Sequence, residues 1–286
     1  MMASPAFGFV VLNYVNHGET VACVDSIETL PGDDYRIVVV DNASPNDSLE
    51  VLRARYRSDP KVTVLASGRN GGYSYGNNAG IRALREAGIE DVVIATSDTR
   101  VEDPRLLERC AAAKAAGIAV LGPHIRDLHD RPQNPMLAHL SMRYIAAIHF
   151  GGAWDALRAL LARSPLRRAL GIGVPDSALA PAIAAPMEVY MVHGCFLYLS
   201  AHYLREFPLL DEDLFMYGEE DLIAWNCRRR GLRVVYDPLM RVHHRDAQST
   251  TPGGFRRRAV VASMKTLRAK IPFTRLVHAW LAARGH

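Results

Sequence analysis

Residues 36–47 read Arg-Ile-Val-Val-Val-Asp-Asn-Ala-Ser-Pro-Asn-Asp, a run of β-branched residues that ends on Asp41 and enters a polar turn. An apolar run without polar alternation is typical of a strand that is covered on both faces. A second such run, Phe7–Leu12, comes earlier, and a helical pattern separates the two. A strand, a helix and a strand in this order predict a parallel pair with a right-handed crossover. We therefore expect an α/β fold.

The alternation of strands and helices continues along the chain. Further strands are predicted at 61–65, 91–95, 118–121, 188–192, 195–199 and 232–236, and helices at about 20–30, 48–56, 75–87, 201–206 and 218–230, with another beginning near Pro104. His243-His244 follow the last strand in a predicted loop. This order predicts a mostly parallel central sheet flanked by helices.

Two segments depart from this order. Residues 124–186 are rich in Ala and Leu, and we interpret them as a helical insertion. The insertion is either purely structural or a flap on the side where an acceptor substrate would bind. Residues 251–286 form a basic C-terminal extension without acidic residues. Its mixture of basic and apolar residues is compatible with a pair of amphipathic helices on an anionic membrane. We favour the alternative, in which these helices pack on the main domain. We place that domain at residues 1–250.

Composition limits the class of protein. The 286 residues are 49% hydrophobic and 22% charged, with a net charge of +4, so we expect a packed core and no nucleic acid partner. Four irregularly spaced cysteines indicate neither a zinc site nor a disulfide framework, which favours a reducing compartment. The sequence shows no signal peptide and no apolar run of about 18–20 residues. We expect a cytoplasmic protein, with any membrane contact at the inner face.

Polar residues follow three of the predicted strands. Asp41, the segment 70–78 and Asp98 lie where an open α/β sheet binds its ligands, beyond the carboxyl ends of the strands. Asp41 can accept a hydrogen bond from a nucleobase imide or a ribose hydroxyl. Residues 70–78, Asn-Gly-Gly-Tyr-Ser-Tyr-Gly-Asn-Asn, offer glycines, amides and aromatic rings. They match neither a P-loop nor a dinucleotide-binding motif, and a simple glycine-rich turn is the alternative.

Two residues are candidates for a metal site. A carboxylate at Asp98 suits a hard divalent cation such as Mn²⁺ or Mg²⁺, which would neutralise the charge of a diphosphate leaving group. Imidazole also suits Mn²⁺, so His244 is a candidate second ligand. The alternatives are a turn cap for Asp98 and a surface histidine for His244.

The run Gly218-Glu-Glu-Asp221 places three acids at a helix start. A carboxylate there can serve as a general base for an acceptor hydroxyl, and neighbouring acids raise one another's pKa. The alternative is ordinary helix chemistry, because the helix dipole stabilises acids in the first turn.

Together these segments resemble the family 2 glycosyltransferases with the GT-A fold, especially bacterial enzymes that build surface polysaccharides and rhamnose-containing glycans. The matching motifs are Val10–Tyr14, Val38–Ser44, Asn70–Gly80, Ser97–Thr99, Gly194–Leu197, Phe215–Asp221, Tyr236–Pro238 and Val242–His244, in family order. The resemblance covers roughly residues 7–122 and 188–250. One departure is Thr96, which stands where the family's metal motif has its first acid.

The resemblance implies a role for each matching residue. Those implied to bind the nucleotide sugar are Asn13, Asp41, Asn70, Gly72, Asn77, Ser97 and Asp98. Asp98 and His244 are implied to bind the metal, Mn²⁺ or Mg²⁺. The base is implied to be Asp221 or Glu220, and we favour Asp221.

The implied reaction is inverting transfer of a sugar from a UDP- or dTDP-linked donor to a hydroxyl of a glycan or lipid-linked acceptor. A sugar-nucleotide nucleotidyltransferase is one alternative, but such enzymes carry a basic glycine-rich loop after the first strand, and Asn13–His17 stands here instead. A second alternative is a binding module that has lost catalytic activity. The incomplete metal motif at Asp98 favours this alternative, whereas the intact acidic run that ends at Asp221 disfavours it. A homodimer and peripheral membrane contact through the basic tail are compatible with the sequence.

Overall fold

A computed structural model of the protein describes residues 6–150, 184–245 and 254–282. The strands are β1 (Phe7–Asn13), β2 (Tyr35–Asp41), β3 (Val62–Ala66), β4 (Val92–Thr96), β5 (Thr99–Val101), β6 (Val120–Arg126), β7 (Met187–Glu188), β8 (Phe196–Leu199) and β9 (Val234–His244). The helices are α1 (His17–Glu28), α2 (Ser48–Arg55), α3 (Tyr73–Glu86), α4 (Leu106–Ala115), α5 (Ala201–Glu206), α6 (Glu219–Arg230), α7 (Gly254–Lys270) and α8 (Phe273–Ala282). Residues 142–150 are also helical. The predicted α/β class is confirmed.

All nine strands belong to one sheet, in the order β3-β2-β1-β4-β8-β6-β9-β5, with β7 beside β9. The first four strands are parallel. Beyond β4 the sheet is mixed, because β8 runs antiparallel to β4 and β6, and β5 and β7 run antiparallel to β9. A strand that is buried on both faces has the same apolar pattern whether it runs parallel or antiparallel to its neighbours. The sequence therefore predicts the strands but not the change from parallel to antiparallel pairing.

Alternate residues of the central strands pack into two different cores. Ile37 and Val39 of β2 contact the core that contains residues of α1, α2 and α4, whereas Val38 and Val40 contact the core that contains residues of α3, α5 and α6. Since helices cover both faces, every position from 37 to 40 is buried. This double burial explains the unbroken apolar run in the sequence.

The C-terminal extension packs on the domain. Leu267 of α7, Ile271 just after α7 and Leu276 of α8 are buried in one cluster with Leu222 and Trp225 of α6. The packed arrangement predicted for the tail therefore holds in its described part. Within the described residues, none of the helices has the length and apolarity that crossing a bilayer requires.

Parts of two predicted segments lie outside the described residues. These are residues 151–183 of the insertion and residues 251–253 and 283–286 of the tail, and residues 246–250 at the end of the main domain also lie outside them. At the start of the insertion, β6 continues to Arg126, so the first residues of the segment predicted as helical belong to the sheet. His243-His244, predicted in a loop, are the last residues of β9, because this strand runs past Pro238 to pair with β5.

Candidate active site

The parallel strands bring the predicted polar residues to one edge of the sheet. Asn13, the last residue of β1, pairs directly with Asp41, the last residue of β2. On the other side of β1, Leu12 pairs with Thr96, the last residue of β4. Ser97 and Asp98 follow Thr96 in the turn before β5. Four residues predicted from sequence, Asn13, Asp41, Ser97 and Asp98, thus meet at the carboxyl edge of the sheet.

Asp41 lies in a buried hydrogen-bond network. Its Oδ2 accepts from Asn13 Nδ2 at 2.7 Å and from Ser44 Oγ at 2.6 Å, and its Oδ1 accepts from the Ser44 backbone N–H at 2.9 Å. Thr20 Oγ1 donates to Asn13 Oδ1 at 2.7 Å. Asn13 and Asp41 are 0% and 1% exposed. In the structure these two side chains hold the turn at Ser44. Direct contact between Asp41 and a nucleotide stays a prediction, and it would require this hydrogen-bond network to open.

The turn at 70–72 is fixed by an asparagine that the sequence reasoning did not single out. Asn42 Nδ2 donates to Asn70 Oδ1 and to the Gly72 carbonyl, both at 3.1 Å. The Tyr73 backbone N–H donates to the Phe215 carbonyl at 2.8 Å. Gly72 has φ +87°, and a Cβ there would lie 1.9 Å from Phe215 O. Asn70 and Gly72 therefore join the end of β2 to the segment that precedes α6.

The later glycines and asparagines of this segment serve packing. A Cβ on Gly76 would lie 2.3 Å from Leu12 Cδ1, and a Cβ on Gly80 would lie 2.5 Å from Val10 Cγ1, so both glycines let α3 approach β1. Asn77 is 0% exposed, and its Nδ2 donates to the Tyr73 carbonyl at 3.0 Å. Its predicted contact with the nucleotide sugar would require neighbouring side chains to move.

Asp98 and His244 face each other across the β5–β9 pair. His244 is paired with Thr99, so its ring reaches the preceding Asp98, with Nε2 3.4 Å from Oδ2. Asp98 Oδ1 accepts from Thr96 Oγ1 at 2.6 Å. Burial works to raise the pKa of Asp98, but His244 and the Thr96 hydroxyl outweigh burial and lower it overall. Asp98 is therefore a carboxylate at neutral pH.

The three acids at the start of α6 have different surroundings. Glu219 is buried, and desolvation followed by repulsion from Glu220 raises its pKa well above the usual range. Glu220 Oε1 accepts from the Gly194 backbone N–H at 3.1 Å. Asp221 Oδ1 accepts from Tyr144 Oη at 2.7 Å. Burial raises the pKa of Asp221 to about 6, although the Tyr144 hydrogen bond opposes this.

Several contacts of the site carry no clear sequence signal. Tyr144 lies in the segment predicted only as an insertion, and Gln133, also there, has Oε1 2.7 Å from His244 Nδ1. His193 and Cys195 flank Gly194, and their ligand atoms lie within 4.8 Å of that of His244. Gly194 links the acids of α6 to His244, because its backbone N–H donates to Glu220 while its neighbour His193 packs against His244. Since Gly194, Gln133 and Tyr144 are distant in sequence from their partners, only the fold reveals these contacts.

The donor set at Asp98 and His244 fits a divalent cation. The pair is 5% and 7% exposed and combines a carboxylate oxygen with an imidazole nitrogen. This combination suits Mn²⁺ and related ions. Thr96 contributes only a hydroxyl where a second carboxylate would strengthen binding, so substrate phosphates or water would complete the oxygen ligands of such a cation.

Comparison with known proteins decides the family. The sequence model described as "Glycosyl transferase family 2" matches residues 9–155, which include most of β1, all of β2 to β6 and the Asp98 turn. The chain belongs to glycosyl transferase family 2. The predicted resemblance to family 2 is thereby confirmed. A curated relative of this family 2 chain is the low-salt glycan biosynthesis hexosyltransferase Agl10 of Haloferax volcanii, 25% identical over 202 residues. The match covers 69% of this chain and 54% of Agl10, so the chain spans about half the length of that relative.

Solved structures share the GT-A fold with this family 2 chain. GalNAc-T7, solved with UDP, GalNAc and Mn²⁺, has a TM-score of 0.62 at 13% identity, covering 94% of this chain and 48% of its own. Mannosyltransferase PcManGT from Pyrobaculum calidifontis, in complex with GDP-Man and Mn²⁺, has a TM-score of 0.56 at 14% identity, covering 99% and 74%. S. aureus TarS 1-349 has a TM-score of 0.57 at 15% identity, covering 96% and 69%. These likenesses confirm the predicted fold.

Proposed function

We propose that this chain is an inverting glycosyltransferase that moves a sugar from a UDP- or dTDP-linked donor to a hydroxyl of a glycan or lipid-linked acceptor. The observation that carries the proposal is the Asp98–His244 pair, which is connected through His193 and Gly194 to the carboxylate of Glu220. A cation-binding pair beside a candidate base is what sugar transfer from a diphosphate requires. The family membership and the Mn²⁺-bound structural neighbours support the same function.

The donor side of the site is assigned to the sheet edge. Asp98 and His244 would hold Mn²⁺ or Mg²⁺, which when bound supplies positive charge to a diphosphate leaving group. The turn after β2, held by Asp41 and Ser44, and the turn at 70–72 would enclose the nucleoside. Ser97 is buried beside Asp98, and its backbone carbonyl accepts from Arg100 Nη1 at 3.1 Å.

The contacts support Glu220 as the base rather than Asp221, which the sequence favoured. Glu220 Oε1 lies beside Gly194, between His193 and Cys195, and therefore faces the candidate donor site. Asp221 turns to Tyr144, which packs against Tyr190 with ring centroids 5.5 Å apart. Repulsion from Asp221 is a smaller contribution, after burial and Glu220, to the raised pKa of Glu219.

The proposed step is a single displacement. The Glu220 carboxylate takes the proton of the acceptor hydroxyl, whose oxygen forms a bond to the anomeric carbon. The bond from that carbon to the diphosphate oxygen breaks on the opposite face, so the configuration inverts and a nucleoside diphosphate leaves. The chain's residues orient the two substrates and hold the proton, which accounts for a large part of such catalysis.

The remaining partners and boundaries belong to the same proposal. The transferase domain comprises residues 1–250, and residues 251–286 extend it. Because Leu267 and Leu276 are buried on the domain, membrane contact through the tail would use its basic residues rather than this apolar face. The product would be a polysaccharide or other glycoconjugate.

Release of nucleoside diphosphate tests the proposal. The purified protein is incubated with UDP- and dTDP-sugars, Mn²⁺ and a panel of glycan and lipid-linked acceptors, and the wild-type rate is compared with that of Glu220→Gln. Acceptor-dependent release that Glu220→Gln abolishes is the expected result. Nucleotide binding without any turnover would instead indicate a degenerate binding module. In a parallel incubation with a nucleoside triphosphate and a sugar phosphate, pyrophosphate release would indicate a nucleotidyltransferase.

A further inference from the structure

We propose that His193, Cys195 and His244 form a binding site for Zn²⁺ or a similar thiolate-seeking cation. One ligand atom from each of the three side chains lies within 4.8 Å of the other two. The irregular cysteine spacing in the sequence predicts no such site, because one ligand comes from the end of β9 and the other two come from the turn before β8.

The fold brings these three side chains together rigidly. His193 and Cys195 are separated by Gly194, and the Thr96 backbone N–H donates to the Cys195 carbonyl at 2.8 Å, which fixes this turn to the end of β4. The rings of His193 and His244 meet edge to face with centroids 5.6 Å apart. Cys195 is buried and forms no disulfide. The thiol is therefore held at the two imidazoles.

The donor chemistry selects the class of cation. Two imidazole nitrogens and a thiolate are ligands typical of zinc sites, whereas Mg²⁺ prefers oxygen. Thiolates also favour Zn²⁺ over Mn²⁺, and Zn²⁺ binds more tightly than Mn²⁺ at most nitrogen and sulfur sites. Zinc–ligand bonds of about 2.0–2.3 Å separate tetrahedral ligands by roughly 3.3–3.7 Å. The side chains therefore need to close by roughly 1 Å, a change within reach of small rotamer shifts.

A fourth ligand is already present. Asp98 Oδ2 lies 3.4 Å from His244 Nε2, while His244 Nδ1 is engaged by Gln133 Oε1 at 2.7 Å. This leaves Nε2, the nitrogen that faces Asp98, available for ligation. The contact at Nδ1 is the kind of outer hydrogen bond that orients a ligating histidine.

Loading the site has identifiable costs. The Cys195 thiol must give its proton to solvent, so binding releases a proton and strengthens as the pH rises. The Cys195 backbone N–H donates to His193 Nδ1 at 3.0 Å, and ligation of His193 must replace or rearrange that hydrogen bond. Both costs lower affinity relative to a preformed structural zinc site.

The site shares His244 and Asp98 with the cation pair of the proposed function. A cation bound by Cys195 therefore competes with Mn²⁺ or Mg²⁺ for the same ligands, and Zn²⁺ would inhibit a transfer reaction that Mn²⁺ supports. This consequence rests on the proposed function. The binding itself does not, since it requires neither nucleotide nor acceptor.

Cobalt spectroscopy tests the site directly. Co²⁺ is titrated into the reduced protein without nucleotide, and the near-ultraviolet absorption from sulfur-to-cobalt charge transfer is recorded. We expect one equivalent of Co²⁺ to produce this band and Zn²⁺ to remove it. Cys195→Ser should abolish the band, and His193→Gln should weaken Co²⁺ binding at least tenfold. Cys110→Ala is the matched control, because Cys110 is a buried thiol in a core on one face of the sheet, and it should keep the band.

Thermal unfolding of each variant shows that it is folded. If Cys195→Ser does not fold, His193→Gln carries the test. The absence of a charge-transfer band in the wild-type protein, or a band that survives Cys195→Ser, would overturn the proposal. Failure of the proposed function is distinguishable, because a protein that binds no nucleotide and turns over no donor would still give the cobalt spectrum.

Discussion

The Gly194 backbone N–H donates to Glu220 Oε1 over 3.1 Å, which ties the first turn of α6 to the turn before β8. A Cβ at position 194 would lie only 2.8 Å from the same oxygen. The glycine thus lets the carboxylate approach the backbone at the point where His193 and Cys195 stand on either side. This contact is the structural reason for choosing Glu220 among three consecutive acids.

The first prediction concerns these acids. Glu220→Gln should lower kcat by about 10²–10⁴-fold, the usual contribution of a general base, with little change in donor affinity. Asp221→Asn should lower it by about tenfold or less, because Asp221 bonds Tyr144 instead. Glu219→Gln is the matched control and should retain activity, since Glu219 is buried and burial, followed by repulsion from Glu220, raises its pKa and so favours its neutral form. Steady-state kinetics of the three variants check this. A larger loss in Asp221→Asn than in Glu220→Gln would return the base to Asp221.

The second prediction concerns stability and pH. The pKa of Asp221 is raised by burial to about 6 in the folded protein from 3.8, so its contribution to stability is greatest below pH 3.8 and is lost as the pH rises through 6. Asp221→Asn cannot ionise and should unfold at a higher temperature than wild type at pH 8, by about 3 °C for each kcal/mol gained.

The difference in unfolding temperature between Asp221→Asn and the wild type should shrink as the pH falls from 8 to 5. Thermal unfolding at several pH values measures it, with Tyr144→Phe as a companion variant that removes the opposing hydrogen bond and should raise the Asp221 pKa further. A stability difference that stays constant with pH would show that Asp221 is not desolvated.

The third prediction concerns Gly72. Gly72→Ala should destabilise the protein strongly, because its Cβ would lie 1.9 Å from the Phe215 carbonyl oxygen. Gly68→Ala is a matched control, since Gly68 has a similar φ of +82° and nothing within 4 Å of its Cβ. Positive φ strains an alanine at both positions, so the clash with Phe215 should make the loss in Gly72→Ala exceed the control by roughly 1–3 kcal/mol, the usual cost of overpacking. Denaturant unfolding gives both values, and equal losses would mean that the turn moves freely away from Phe215.

The fourth prediction concerns the cation pair. Asp98→Asn and His244→Gln should each remove the metal-dependent part of nucleotide binding, because either change leaves a single protein ligand. Asp127→Asn is a control, since this carboxylate bonds Arg131 within its own turn. Titration calorimetry with UDP and dTDP, with and without Mn²⁺, measures the effect. Metal-dependent binding that survives both variants would place the cation elsewhere.

The α/β fold followed from the sequence because its signals are local. A run such as 36–41 is apolar at every position and is followed by turn residues, and this pattern depends only on burial from both faces. The direction of β8 and the continuation of β9 to His244 were not predictable in the same way. They depend on pairing between strands that are distant in the chain, such as Thr99 with His244.

The candidate site was predictable in part for the same reason. Asp41 and Asp98 follow strands, so the topology of an α/β sheet predicts their edge. The sequence did not show that Asp41 is enclosed by Asn13 and Ser44, because burial depends on neighbouring elements. It also could not pair Tyr144 with Asp221, 77 positions away, since nothing in the intervening residues fixes that distance.

The most direct test of the proposed function is thermal stabilisation by nucleotides. The protein is unfolded with UDP, dTDP, GDP or ADP, each with and without Mn²⁺ or Mg²⁺. A ligand at a hundred times its Kd adds about 2.7 kcal/mol of stability, which is readily measured. We predict stabilisation by UDP or dTDP that increases with the cation. No stabilisation by any of the four nucleotides would contradict a nucleotide-sugar site at Asp41 and Asp98.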